Sequence, residues 1–343
     1  MNQLPPPPSR HFSFRRVSIA LLCVLVGIVI SYGMWSPGGN GPLPSGKVHG
    51  AWLTHAWWGD GDWYADSSRR HEDYFGSDRV AALSSRLHAL GIRDWYIHAG
   101  PARSDGTLPP IDVGQARLLV EANRGGQVLA WVGGVLDDHC PVDDSEWRRS
   151  FARSRSSLVN RAGIAGIQLN IEPCPSWTEG YLPLLDEMRA ELPTGSRLSI
   201  AAYPPSSWLH SAPSVHWQEE FFREVSHHCD DLCVMAYDTG QKLGKPYTRL
   251  VADWTRACLS WSAVPVRIGL PAYAEFGKSW HHPEAENLRN AFPGLCRGLA
   301  DTKALTYAGW AVYAEWTMSE QDAATIREYQ PDLGGLMTES NRQ

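Results

Sequence analysis

The stretch Ala165-Gly166-Ile167-Gln168-Leu169-Asn170-Ile171-Glu172, closed by Pro173, alternates apolar and polar side chains without a break. Successive side chains of a strand point to opposite faces. Ile167, Leu169 and Ile171 therefore share one face, and Gln168, Asn170 and Glu172 share the other. The apolar set suits a surface covered by helices, and the polar set must then point into the sheet's enclosed side. Similar runs recur in both directions: AWLTHAWW from Ala51, RDWYIHAG from Arg93, QVLAWVGG from Gln127, RLSIAAYP from Arg197, DLCVMAYD from Asp231, VRIGLPAY from Val266 and YAGWAVYAEW from Tyr307. The eight runs start 32 to 42 residues apart. Helical patterns lie between them, with Ser77, Asp112 and Asp144 as expected N-caps and Gly91, Gly125 and Gly163 as expected stops. Regular strand-helix units of this number predict an α/β protein of the (β/α)8 TIM-barrel class. An open doubly wound sheet is the competitor, but it rarely needs eight such regular units. In such a barrel the active site lies at the C-terminal ends of the strands.

The barrel is preceded by a leader. Arg10, Arg15 and Arg16 stand before an uncharged apolar run, Val17 to Trp35, of about the length that crosses a bilayer. Basic residues on that side predict a cytoplasmic N-terminus. The expected organisation is a tail over 1–16, a transmembrane signal anchor over 17–35, a Pro/Gly linker over 36–46 and one domain over 47–343. That domain is then periplasmic or extracellular, and secreted if the leader is cleaved. No A-x-A-like cleavage site follows the run, which favours the uncleaved anchor.

Without the leader, 28 Lys and Arg face 37 Asp and Glu, a net of -9. An acidic surface argues against nucleic acid, whose binding needs clustered cations. Six of the 7 cysteines lie beyond the leader, an even number that permits disulfides in an exported domain. Cys140 and Cys174 each follow an expected strand and could bridge neighbouring loops. The adjacent pairs His227-His228 and His281-His282 lack the spacing of a helical metal motif, and no cysteine pattern forms a paired zinc site. No metal, dinucleotide or phosphate-binding motif is present, so no cofactor is expected. The 16 tryptophans exceed what a core needs, and flat rings suit the apolar faces of sugars.

From Ala165 to Glu172 the chain resembles glycoside hydrolase family 18, the chitinase and endo-N-acetylglucosaminidase family, whose fourth-strand pattern is D-G-x-D-x-D-x-E. Gly166, the alternation and the terminal Glu172 agree with it. LAWVGG at Leu129 looks like the third-strand S-x-G-G, VMAYD at Val234 like M-x-Y-D, GLPAY at Gly269 like G-x-P-x-Y, and GWAVYAEW at Gly309 like the last strand with its aromatic floor. The family's three aspartates fall on Ala165, Gln168 and Asn170. The N-x-E that results is similar to that of family 85 endo-N-acetylglucosaminidases, where an asparagine positions the acetamide.

The resemblance implies a monomeric glycosidase acting on a 2-acetamido glycan, with the substrate's own acetamido oxygen as nucleophile. Glu172 would be general acid/base, Asn170 would position the acetamide and Tyr237 would donate to it. Asp238, Gln168, Trp57, Trp131, Tyr203, Tyr273, Glu275, Tyr313 and Trp316 are expected to bind the sugar, Tyr313 or Trp316 as its floor. Two other functions remain open. A paired-carboxylate enzyme would use Glu172 as acid and Glu275 as nucleophile, with carboxyls about 5 Å apart. A catalytically inactive barrel would keep only the glycan groove.

Overall fold

Eight parallel strands close on themselves in chain order, each neighbouring the next and the last pairing with the first. The computed structural model describes residues 14–67, 69–274, 277–302 and 305–331. The chain divides into two units, 1–36 and 37–343. The first holds helix α1 (Phe14–Met34), long and apolar enough to cross a membrane. The second holds β1 (His49–Leu53), α2 (Gly61–Asp66), α3 (Ser77–His88), β2 (Ile92–His98), α4 (Val113–Ala122), β3 (Gln127–Val135), α5 (Ser145–Ala162), β4 (Gly166–Glu172) and α6 (Tyr181–Glu191). It continues with β5 (Arg197–Ala202), α7 (Glu219–His227), β6 (Asp231–Met235), α8 (Gly244–Trp261), β7 (Val266–Pro271), α9 (Leu288–Ala300), β8 (Tyr307–Tyr313) and α10 (Glu320–Tyr329). This is a (β/α)8 barrel.

Local chemistry sets the boundaries. Asp112 and Asp144 cap α4 and α5, their carboxylates accepting from Gln115 N–H at 2.8 Å and Glu146 N–H at 2.7 Å. Gly163 ends α5 with a left-handed φ of 70°. Ser77 is the first residue of α3 and not its cap, which is Gly76. The run from Ala51 is strand only to Leu53. Thr54 then accepts the Ala56 N–H and starts a 3-10 turn over His55–Trp58, which the left-handed Gly59 stops.

The barrel unit also begins earlier than expected, at Pro37 and not at Lys47. Gly39 N–H bonds Pro293 O and Leu43 N–H bonds Tyr329 O, both at 2.8 Å. A Cβ on Gly39 would lie 2.8 Å from Arg297 N. The Pro/Gly composition that reads as a linker here permits a close backbone approach to α9.

Three layers fill the barrel. At the bottom Arg197 and Arg267 share Asp94, at 2.6 and 2.8 Å, and both also pair with Asp231. Burial pushes the Asp231 carboxyl up, but hydrogen bonds and charge from Arg197 outweigh it and hold the group below the usual range. The middle layer is apolar: Trp52, Tyr96, Leu129, Cys233 and Ala311. Gly269 makes room for it, because a Cβ there would sit 2.8 Å from the Trp52 ring. Trp52 in turn supports the top layer, with ring centroids 6.1 Å from Tyr237 and 5.9 Å from Tyr313. Trp52→Ala is expected to cost about 3–5 kcal/mol of stability in urea unfolding.

Eight of the 16 tryptophans are buried, so half of them belong to the core. The cysteines are free thiols, and the expected Cys140–Cys174 bridge is not formed. Both side chains are buried, and the Cys174 thiol bonds the Thr178 hydroxyl at 3.8 Å.

A second stability prediction concerns acid. His49 is buried, stacked on Trp310 at 4.2 Å, and its Nδ1 accepts the Trp310 N–H at 3.3 Å. Burial, with the nearby Arg267 charge, lowers its pKa to about 3. The unfolded chain binds a proton near 6.5 that the folded chain refuses, so stability falls as pH drops from about 6.5 towards 3. Urea midpoints across that range should show the loss, reduced in His49→Gln.

Candidate active site

Strand β4 carries Glu172 to the open end of the barrel and leaves Asn170 one pleat below it. The register sets Gly133 of β3 opposite Asn170. Gly133 has φ 138°, and a Cβ there would fall 1.8 Å from Asn170 O, so only glycine fits. Asn170 is 8% exposed and donates from Nδ2 to Glu172 Oε1 at 2.6 Å. Glu172 shows one side to solvent, while neighbouring groups crowd its carboxyl. Burial raises its pKa above the ordinary glutamate value and the nearby Asp238 adds to this. The Asn170 hydrogen bond opposes both. A strand-end carboxyl whose surroundings favour its protonated form is suited to donating a proton.

Glu172 is a wall shared by two cavities. One, of about 220 Å³, is also lined by His98, Trp131, Gly133 and Asn170. The other, of about 70 Å³, is lined by Tyr203, His210, Met235, Tyr237 and Asp238. Tyr237 stacks on Tyr313 at 5.0 Å and 12°. Trp131 and Tyr273 meet Tyr313 edge-on at 6.1 and 5.3 Å. Burial first, then the Glu172 charge, pushes the Tyr237 hydroxyl well above its ordinary pKa, so it remains a phenol able to donate. The same causes act on Tyr203, where a backbone hydrogen bond at Cys174 works in the opposite direction.

The structure thus brings together Glu172, Asn170, Tyr237, Asp238, Tyr203, Trp131, Tyr273 and Tyr313. Gln168 is fully buried beneath them and bonds Ser199, which itself bonds Asp231. Its place is the floor of the barrel, out of a sugar's reach. Trp57 is also buried. Its indole donates to Glu315 Oε2 at 3.2 Å, and Glu315 pairs with Arg86. Trp57 therefore offers no free face. Trp316 is half-buried, edge-on to Tyr313 at 5.7 Å. Tyr313 is the ring that Tyr237, Trp131, Tyr273 and Trp316 all meet. Glu275 lies outside the described residues.

Several features were missed in the sequence. Trp177, Trp208 and Trp280 stand exposed on the loops after β4, β5 and β7, Trp208 at 85%. Their position just beyond strand ends was the available signal. His210 Nδ1 and His216 Nε2 lie 2.7 Å apart beside the smaller cavity. His281 and Glu286 sit behind Asp238.

A parallel barrel with a protonatable carboxyl, an amide and a phenol at its C-terminal mouth has the general plan of a glycosidase. Residues 102–332 match Glycosyl hydrolases family 18, and the chain belongs to that family. No curated protein matches the chain by sequence. Among solved structures it is similar to the Bacillus cereus spore cortex-lytic enzyme SleL, at 12% identity and TM-score 0.58, covering 83% of this chain and 74% of that one. The Ostrinia furnacalis Group IV chitinase gives 12% identity and TM-score 0.57 over 84% of this chain and 100% of that one. A Chromobacterium violaceum chitinase gives 13% and 0.55, over 82% and 98%. These likenesses are likenesses of fold.

Proposed function

We propose that the chain hydrolyses a glycan containing 2-acetamido sugars by a substrate-assisted, retaining route. The observation that carries this is the Asn170–Glu172 pair at 2.6 Å in the larger cavity, with Glu172 also lining the smaller one. An amide beside the acid can orient an acetamide by hydrogen bonding. The acetamido oxygen attacks the anomeric carbon as the glycosidic bond breaks, and Glu172 gives its proton to the departing oxygen. Tyr237 donates to the acetamido oxygen and the aromatic wall holds the ring. Water then opens the oxazolinium, with Glu172 taking its proton, so the starting configuration is kept.

The likenesses name chitinases and a spore cortex-lytic enzyme, so chitin and spore-cortex glycan are the first substrates to offer. The test is to incubate the full chain and its Glu172→Gln variant with acetylated and de-acetylated glycans and to measure reducing ends. Cleavage confined to the acetylated substrates and lost in the variant supports the proposal. Binding without cleavage by either protein would overturn it in favour of a glycan-holding barrel. Helix α1 and the arginines at and before its N-terminal end, Arg10, Arg15 and Arg16, support a membrane anchor with the barrel outside the cytoplasm.

A further inference from the structure

The loop after β5 brings two histidines to the smaller cavity that the substrate-assisted route does not use, His210 and His216. His216 is buried, and its Nδ1 lies 3.0 Å from Pro204 O. A carbonyl can only accept, so His216 Nδ1 carries a hydrogen. The two rings stand at 83° to each other, with His210 Nδ1 at 2.7 Å from His216 Nε2. Burial lowers both pKa values from 6.5; His216 adds to this at His210, where Glu286 opposes it, and hydrogen bonds to Pro204 and His210 oppose it at His216. At about pH 7.5 both rings are therefore neutral. Neutral His216, with its hydrogen on Nδ1, has a bare Nε2. The hydrogen in the 2.7 Å contact is then the one on His210 Nδ1. Neutral His210 is left with a bare Nε2, which makes no hydrogen bond among the described residues and can only accept.

The surroundings hold this arrangement. Ser207 closes a turn around His210, its hydroxyl accepting the Leu209 and His210 N–H groups at 3.2 Å each. Gln241 of the loop after β6 donates from Nε2 to Leu209 O at 2.7 Å. Trp254 of α8 meets His210 edge-on at 5.9 Å, and its indole donates to Pro205 O at 2.8 Å. The His210 ring cannot turn over without giving up its bond to His216. On the same walls Tyr237 is a donor and Asp238 an acceptor. His210 adds an uncharged acceptor, and such a group needs a hydrogen from whatever it binds.

Resting on the function proposed above, we infer that His210 is a specificity-determining residue whose bare Nε2 accepts from a hydroxyl of the sugar at the smaller cavity, and that His216 is the positioning residue that fixes the direction of that bond. The site then takes a 2-acetamido sugar whose hydroxyl at that place is free. It discriminates against one whose oxygen there is an ether or an ester, which has no hydrogen to give.

The test uses the full chain and its His210→Phe, His210→Gln and His216→Phe variants, each checked for folding by its melting curve. Rates are measured on an aryl glycoside of the N-acetylglucosamine dimer and on analogues in which the sugar next to the scissile bond lacks one hydroxyl in turn. For one of those hydroxyls the parent's kcat/KM should exceed that of the analogue by about tenfold. His210→Phe should bring that one ratio close to unity and leave the others as they were. His210→Gln, whose amide oxygen still accepts, should keep part of it, and His216→Phe should reduce it. Equal loss on every substrate, or an unchanged set of ratios, would overturn the inference. A second readout needs no turnover: nitrogen NMR of histidine-labelled protein at about pH 7.5 should show His210 and His216 each protonated on Nδ1 and bare on Nε2. A hydrogen on His210 Nε2 would also overturn it, and this spectrum decides the matter if His210→Phe does not fold. A parent that cleaves no acetylated glycoside sinks the glycosidase proposal itself. An active parent whose ratios match those of His210→Phe sinks only the role of His210.

Discussion

Glu172→Gln should lower kcat on an acetylated glycan by about 100-fold or more, with KM little changed. The amide keeps the shape of the side chain and most of its hydrogen bonding but has no proton to give the leaving oxygen. The pH profile adds a second readout. Burial and Asp238 hold the Glu172 carboxyl above the usual glutamate range, so it stays protonated to higher pH than an ordinary glutamate. The parent's rate should fall as pH rises through that raised value, and this limb should vanish in the variant. A variant with parental rates would show that another group donates the proton.

Asn170→Ala should cost nearly as much, because on the proposed route the acetamide is the nucleophile and its orientation decides the attack. The residual rate should also respond differently to pH. The Asn170 hydrogen bond favours the charged form of Glu172, so its loss moves the falling limb to higher pH. Asn170→Asp would put a second carboxyl against Glu172 and should move the limb further in the same direction. Profiles of kcat/KM for the three proteins separate these effects. If Asn170→Ala keeps the parental rate, the acetamide is not the nucleophile.

The strands were legible because alternation in a strand is a property of neighbouring residues, and β4 shows it without interruption. The run from Ala51 misled beyond Leu53, since a 3-10 turn packed on all sides is as apolar as a buried strand. Residues 37–46 misled for the opposite reason: glycine permits tight docking as readily as it permits a loose linker. Within the site, Glu172, Asn170, Tyr237 and Asp238 could be found because each lies within three residues of the end of a recognisable strand. The ionic floor of Asp94, Arg197, Asp231 and Arg267 joins four strands far apart in sequence and left no local trace. The adjacent histidines at 281 and 282 were weighed as metal ligands, while the carboxylates that face His281 lie 43 residues before it and five after. Trp57 and the exposed Trp208 are the same residue type in similar surroundings of sequence, and only packing tells them apart.

Because Glu172 lines both chambers, the proposed route would impose traffic rules on a turnover. A sugar retained on one side keeps that chamber shut to solvent. The opposite chamber must empty before water can reach the carbon that has just lost its bond. Departure of the first product and entry of water then use the same door, in that order. A leaving fragment that lingers there delays hydrolysis and leaves the reactive ring open to a second sugar hydroxyl in water's place. On that route, the balance between cutting a chain and rejoining it would be set by how quickly one chamber clears.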